Sequence, residues 1–346
     1  MAEFFDISDW QEKIHYQTGG TRNKSVVENL STTDLYFFKK SIPKYQHEFW
    51  SEIIASEVGN ALGFNVLKYD IANKNGEVGC ISKLMINPEF QQLTEGINYL
   101  QGYDSTYLPE KKESYEKYTF HFIEEALKEY NLEKTIPDLI RTIIFDSIIG
   151  NGDRHQENWG YIQSVKENDV QVIKRMTKLL DNKILRSTIK TIIFIRYIRM
   201  FLMTKFKLNE LDEILNFYKG EYSPIYDSGS CLGREMEDEK VDLMLRDDFM
   251  LKAYVNKGTS EIRWDGPKLR HFELIDNIRV EHHYIVKSTI NNVIMNFDEQ
   301  KIRKIVLDID KNLPENLNEH KLPDNRKELI IKMITLRIER LKELLQ

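Results

Sequence analysis

Ile149-Gly-Asn-Gly-Asp-Arg-His-Gln-Glu-Asn-Trp-Gly160 is the stretch that decides the reading of this chain. It follows directly on Pro137 to Ile149, an apolar segment with helical spacing. Thr135 or Ile136 lies near the cap of that helix, and the proline comes early, where its missing N–H does no harm. Asp153 and Asn158 have four residues between them. A loop of that length can set one carboxylate to accept a hydroxyl proton and one amide oxygen to hold a hard cation beside it. A bare Asp-x-x-x-x-Asn arises often by chance. The whole string, Gly-Asn-Gly-Asp-Arg-His-x-x-Asn-x-Gly at a helix-to-strand junction, is far more specific than a polar loop of turn formers.

Three further segments gain meaning beside it. In Tyr222-Ser-Pro-Ile-Tyr-Asp-Ser-Gly-Ser230, Asp227 precedes a small residue and a glycine. Alone this is a turn signal; as the other half of a metal site begun by Asn158, Asp227 supplies a carboxylate ligand. Lys39 ends the run Leu35-Tyr-Phe-Phe-Lys39, where a helix carboxylate can hold it. Glu52 is the choice for that carboxylate, with Glu48 and Glu57 as rivals and a solvated face of three glutamates as the plain alternative. Lys40 rivals Lys39, and alternation does not separate them because Phe37 and Phe38 are both apolar. Finally, Thr18-Gly-Gly-Thr-Arg-Asn-Lys-Ser25 offers two glycines and successive amides that can wrap phosphates, with Lys24 and Ser25 as added donors. It matches neither common phosphate-loop pattern and reads equally well as an ordinary turn.

Around these segments the chain divides into two textures. Up to about residue 88 it reads as short strands with one helix. Lys24 to Val27 and Leu35 to Lys39 form a hairpin, and Phe49 to Ala61 is a helix stopped by Gly63. Phe64 to Ile71 and Val78 to Met85 are strands around an Asn75-Gly76 turn. Beyond Pro88 the pattern turns helical, with helices expected over Glu116 to Tyr130, Pro137 to Ile149, Ile302 to Leu313 and Arg326 to Leu345. A cleft is expected between the two parts.

The 346 residues are 41% hydrophobic and 30% charged, which excludes collagen-like and wholly disordered classes. Two cysteines, Cys80 and Cys231, make no disulfide framework, and MAEFFDISDW is no signal peptide. A cytoplasmic protein is expected, with export by another route left open. The net charge of −6 argues against a general nucleic-acid coat protein. Charge is uneven: Val170 to Lys207 holds ten basic residues against Asp181 alone. Inside it Ile189 to Met203 is apolar but interrupted by Arg196 and Arg199, and it is too short to span a bilayer. That segment reads as a cationic helix with one core-facing stripe, or as a contact for an acidic partner or a membrane surface.

In this order the segments resemble the HipA-like serine/threonine kinases, in a compact form without the N-terminal extension. The match covers Gly19 to Lys24, Tyr36 to Lys39, Ser51 to Gly63, Ile149 to Asn158, Pro224 to Ser230 and Gly258-Thr-Ser-Glu-Ile-Arg-Trp264. The Asp-Arg-His-x-x-Asn string is also similar to phosphatidylinositol kinases, whereas Pro-Ile-Tyr-Asp-Ser-Gly is HipA-like. The resemblance implies a two-lobed α+β fold. A small β-rich N-lobe would span 1–88, and a larger helical C-lobe would span 89–346 with a basic insertion at about 170–220.

It implies ATP and Mg²⁺, and transfer of the γ-phosphoryl group to a Ser or Thr hydroxyl with autophosphorylation as well. Asp153 would be the base, Asn158 and Asp227 the metal ligands, and Lys39, held by Glu52, the phosphate-pairing lysine. Gly19, Gly20, Thr21, Lys24, Ser25 and Met85 would contact the nucleotide. His155 would order the loop by hydrogen bonding, and Arg154 would pair with a nearby carboxylate. The partner implied is a protein with a Ser or Thr acceptor, together with an antitoxin-like or host protein; nothing points directly to nucleic acid.

The departure is the distance from Asn158 to Asp227, with 68 residues between. The surplus coincides with the basic segment, which is either a substrate-contacting subdomain or a passive decoration. Two rival functions remain: a lipid-headgroup or small-molecule kinase, and a non-catalytic kinase fold kept for binding. A metallohydrolase built on Asp153, His155 and Asp227 fails for want of further histidines at ligand spacing.

Overall fold

A computed structural model of the chain describes residues 1–13, 24–88, 91–164 and 220–346. Gly19, Gly20, Thr21 and the basic segment lie outside the described residues. The N-terminal part is a six-stranded sheet of β1 (Phe4–Asp6), β2 (Gln11–Glu12), β3 (Lys24–Glu28), β4 (Leu35–Lys40), β5 (Asp70–Lys74) and β6 (Glu77–Lys83), in the order β1-β5-β6-β4-β3-β2. Only β1 joins its neighbour in parallel. The hairpin of β3 and β4 forms as the sequence predicts. So does the turn between β5 and β6, where Asn75 and Gly76 both take positive φ, as a tight two-residue hairpin turn requires.

Helix α1 (Glu48–Ala61) carries Phe49, Trp50, Ile53, Ile54 and Val58 into the core. It packs on β4 and β6 on one side and on α10 (Glu299–Leu307) of the helical part on the other. The opposite face of the sheet keeps its own small cluster of Ile7, Val27, Phe38, Ala72 and Ile81.

The strand expected over Phe64 to Ile71 is a correction. Only Ile71, within β5, falls in one of the sheet's strands apart from its neighbour Asp70. The preceding residues leave the sheet because Ser56 Oγ donates to the Leu67 carbonyl at 2.9 Å. The Leu67 amide then bonds the Ile225 carbonyl at 2.9 Å, so this segment pairs with the chain just before Asp227 instead.

The helical part is organised round α5 (Ile136–Ile149), against which α8 (His271–Glu281), α9 (His283–Asn296) and α11 (Asp324–Glu343) pack. A short helix, α3 (Lys112–Tyr115), precedes the one expected over Glu116 to Tyr130, which forms as α4 (Phe120–Glu129) and starts four residues later than expected. Thr119 caps α4, its hydroxyl accepting from the Phe122 amide, a cap worth about 1 kcal/mol. The helix begun by α10 ends at Leu307 rather than Leu313.

A second sheet is formed by β7 (Gln91–Glu95), β8 (Gly160–Ser164) and β9 (Glu221–Tyr222), and the Tyr222 hydroxyl of β9 meets that of Thr142 on α5 at 3.3 Å. The first strand of this sheet falls where the sequence reads as turning helical, because its pairing partner is β8, far along the chain. Among the described residues no helix is long and apolar enough to cross a membrane. Both cysteines are buried free thiols, and burial pushes their pKa values up.

Candidate active site

Strand register places the first group. Phe38 faces Ile81 across the sheet and Lys39 faces Cys80, so Lys39 points towards α1 while Lys40 points away. Lys39 is buried and forms an ion pair with Glu52; Lys40 reaches the exposed Glu77 instead. The rival glutamates have other partners: Glu48 pairs with Arg234, and Glu57 with the amino terminus. Burial pushes the Glu52 carboxyl above its ordinary range, and the positive charge of Lys39 acts against that push.

Lys39 Nζ also lies 2.7 Å from Asp227 Oδ1. Lys24 sits directly opposite Lys39 on β3, and its Nζ lies 3.1 Å from Asp227 Oδ2. Two cations opposite each other on adjacent strands repel. Here both amines converge on one carboxylate, and Glu52 supplies a second. Ser25, next along β3, pairs with Phe38 and is half-buried; Met85 follows the end of β6 and is half-buried too.

The loop after α5 starts with Gly150 at φ 69°, a left-handed helix stop. An added Cβ there would lie 2.2 Å from the Arg337 guanidinium and would sit on a left-handed backbone, so a side chain at this position is strained. Asp153 accepts a hydrogen bond from the Ser230 hydroxyl at 2.9 Å. The Asn158 side-chain N–H₂ donates to the Asp153 carbonyl at 2.8 Å, which directs its amide oxygen to the other side. His155 is one-third exposed, and its Nδ1 accepts from the Glu157 amide at 3.3 Å, so its hydrogen bond is within the loop. Arg154 pairs with Asp146 at 2.8 Å. Burial opposes its charge, yet the Asp146 carboxylate holds the guanidinium above the ordinary arginine range.

No family model and no curated protein matches the sequence. Solved structures do match in shape. The proinflammatory kinase CtkA of Helicobacter pylori superposes with a TM-score of 0.69 at 16% identity, over 99% of this chain and 96% of that one. A chain of the HipA–HipB toxin–antitoxin complex with operator DNA from Shewanella oneidensis MR-1 gives 0.50 at 12% identity, over 96% of this chain and 67% of that one. The fold is that of the HipA-like kinases.

Within this kinase-like fold the β3–β4 hairpin, α1 and the segment 224–230 bring Lys24, Lys39, Glu52 and Asp227 into one network of charged groups, and Ser230 of the same segment bonds Asp153 of the loop after α5. The amide oxygen of Asn158 and the carboxylate of Asp227 are hard donors of the type Mg²⁺ takes, one or two at a time beside water and phosphate oxygens. The two lysines suit phosphate. The donor set therefore fits a metal–nucleotide complex.

Three contributors were missed from sequence. Asp146 carried a usable signal: a carboxylate in the last turn of an apolar helix opposes the helix dipole and needs a cation nearby. Tyr69, whose hydroxyl accepts from the Asp227 amide at 3.3 Å, carried none. Neither did Ser228, whose amide donates to Glu52 Oε2 at 2.8 Å.

Proposed function

We propose that this protein is an ATP- and Mg²⁺-dependent kinase that transfers the γ-phosphoryl group to a Ser or Thr hydroxyl of a protein. The reading is carried by the Lys39–Glu52 ion pair at Asp227, on the same short segment as the Ser230 that holds Asp153. A phosphate-binding lysine, a metal carboxylate and a base are thus tied together from parts of the chain far apart in sequence.

In the proposed mechanism Asp153 orients the acceptor hydroxyl and takes its proton as the oxygen attacks the γ-phosphorus of ATP, while the bond to the bridging β–γ oxygen breaks and ADP leaves with its electron pair. Lys39 and Lys24 leave Asp227 for the phosphates, whose charge they neutralise. Asp227 and Asn158 would hold Mg²⁺, which when bound would draw charge from the phosphate oxygens. Asn158 keeps the Asp153 carbonyl in place through its amide N–H₂. Glu52 keeps Lys39 on the cleft side of β4.

Incubation with labelled ATP and Mg²⁺ tests the reading, read out on the protein itself and on a Ser/Thr-rich acceptor such as casein. Asp153→Asn should lower transfer by about 10²–10⁴ while leaving nucleotide affinity near normal. Near-normal turnover in that variant would overturn the assignment of the base.

A further inference from the structure

Asp227 has φ at +53°, a left-handed backbone that a non-glycine residue keeps only where its surroundings over-determine it. Its neighbours are gripped from both lobes. From the N-lobe side, Glu52 accepts the Ser228 amide and Tyr69 accepts the Asp227 amide, at 2.8 and 3.3 Å. From the C-lobe side the Tyr226 hydroxyl donates to the Glu157 carbonyl at 2.8 Å, and the most extensive grip is that of Arg154, which is 1% exposed.

A guanidinium has five N–H donors in a fixed planar fork, and Arg154 makes five hydrogen bonds. Its Nε and Nη2 bond the two oxygens of Asp146 at 2.9 and 2.8 Å. Nη1 donates to the carbonyls of Asn158 at 2.8 Å and Tyr226 at 2.6 Å, and Nη2 also donates to Ser228 Oγ at 3.1 Å. The backbone of Asn158 and the residues on either side of Asp227 therefore share one rigid group, which Asp146 anchors to α5. The Ser230 hydroxyl on Asp153 closes the circuit.

We propose that Arg154 is a positioning residue for phosphoryl transfer, holding the Asn158 loop and the Asp227 segment in one fixed register. The proposal rests on the kinase reading above. Lysine cannot take its place, since three donors on a point charge do not reach acceptors spread round a planar fork.

Two variants test it, Arg154→Lys and Ser228→Ala, each measured three ways. Single-turnover transfer with ATP and Mg²⁺ reads the chemistry, thermal melting reads stability, and hydrogen exchange of peptides over 150–160 and 222–231 reads the register. Arg154→Lys should lower the transfer rate constant by about 10²-fold, the cost of a small misplacement of reacting groups. The loss should persist at temperatures far below its melting point, where a merely destabilised protein would recover. Exchange in 222–231 should quicken while α5 stays protected. Ser228→Ala, which removes one of the five acceptors, should do the same more weakly. Should Arg154→Lys fail to fold, Ser228→Ala decides.

Unchanged exchange in 222–231, or a transfer rate equal to that of the unaltered protein, would overturn the proposal. If the unaltered protein transfers no phosphate, the kinase reading falls by itself. The exchange measurement still decides whether Arg154 holds the two segments together.

Discussion

Replacing Lys39 with methionine keeps the aliphatic stem and removes the charge that faces Glu52 and Asp227; Asp227 still keeps Lys24. Glu52 is 0% exposed and already has its pKa raised above the ordinary 4.5 by burial, against the pull of Lys39. Without that pull the carboxylate can stay in the fold only by taking a proton. A carboxyl whose folded pKa is raised favours folding most when both states are protonated, below the unfolded value, and loses that advantage as pH rises. The cost of Lys39→Met therefore grows with pH, by up to about 1.4 kcal/mol for each unit above the unfolded pKa. From 4.5 to pH 7 that is at most about 3.4 kcal/mol. At pH 5 it is under about 1 kcal/mol. The ceiling agrees with the roughly 3–5 kcal/mol lost on breaking a buried ion pair.

Urea unfolding at pH 5, 6 and 7 measures the trend. Lys40→Met serves as control, since its pair with exposed Glu77 should be worth about 0–1 kcal/mol at any of these pH values. In Lys39→Met/Glu52→Gln the part of the pH dependence that Glu52 carries should vanish, while Asp227, which also loses Lys39, keeps Lys24 as its cation. A cost for Lys39→Met that is equal at pH 5 and pH 7 would refute the reasoning. Transfer activity should rank the same way, with Lys39→Met far below Lys40→Met; the reverse order would mean a register shifted by one residue.

Asp227→Ala should abolish the Mg²⁺ dependence of nucleotide binding, measured by titration of a fluorescent ATP analogue with and without Mg²⁺; an unchanged dependence would remove Asp227 from the metal. His271 gives a second pH signature, of opposite sign. Burial first, and Arg337 second, lower its pKa to about 3, and both ring nitrogens lack hydrogen-bond partners among the described residues. A depressed histidine contributes stability that is complete above its unfolded value of 6.5 and is lost as pH falls towards 3. His271→Leu should flatten the fall in unfolding free energy between pH 6.5 and 5 by about 2 kcal/mol, and an identical slope in both proteins would show that His271 does not take up the proton.

What could be read in the chain was what neighbours in sequence decide. The helix over Ile136–Ile149, its stop at Gly150 and the Asp153-to-Asn158 spacing all lie within a few turns of backbone. The Asn75-Gly76 turn needed only two residues that tolerate positive φ. Short-range geometry suffices for such features, and the resemblance built on them led to the kinase-like fold.

The choice of Lys39 over Lys40 needed the register of β4 on β6, because two adjacent phenylalanines erase the period-two signal that would have shown which lysine faces α1. Glu52 stood out from Glu48 and Glu57 only when the segment at 227–230 came down on α1, 176 positions away in the contact of Ser228 with Glu52. The two lysines at Asp227 and the five acceptors round Arg154 arise in the same way. Charge pairing is short in space and indifferent to separation along the chain. A single sequence shows which groups need partners, and only the packed core decides which partners they get.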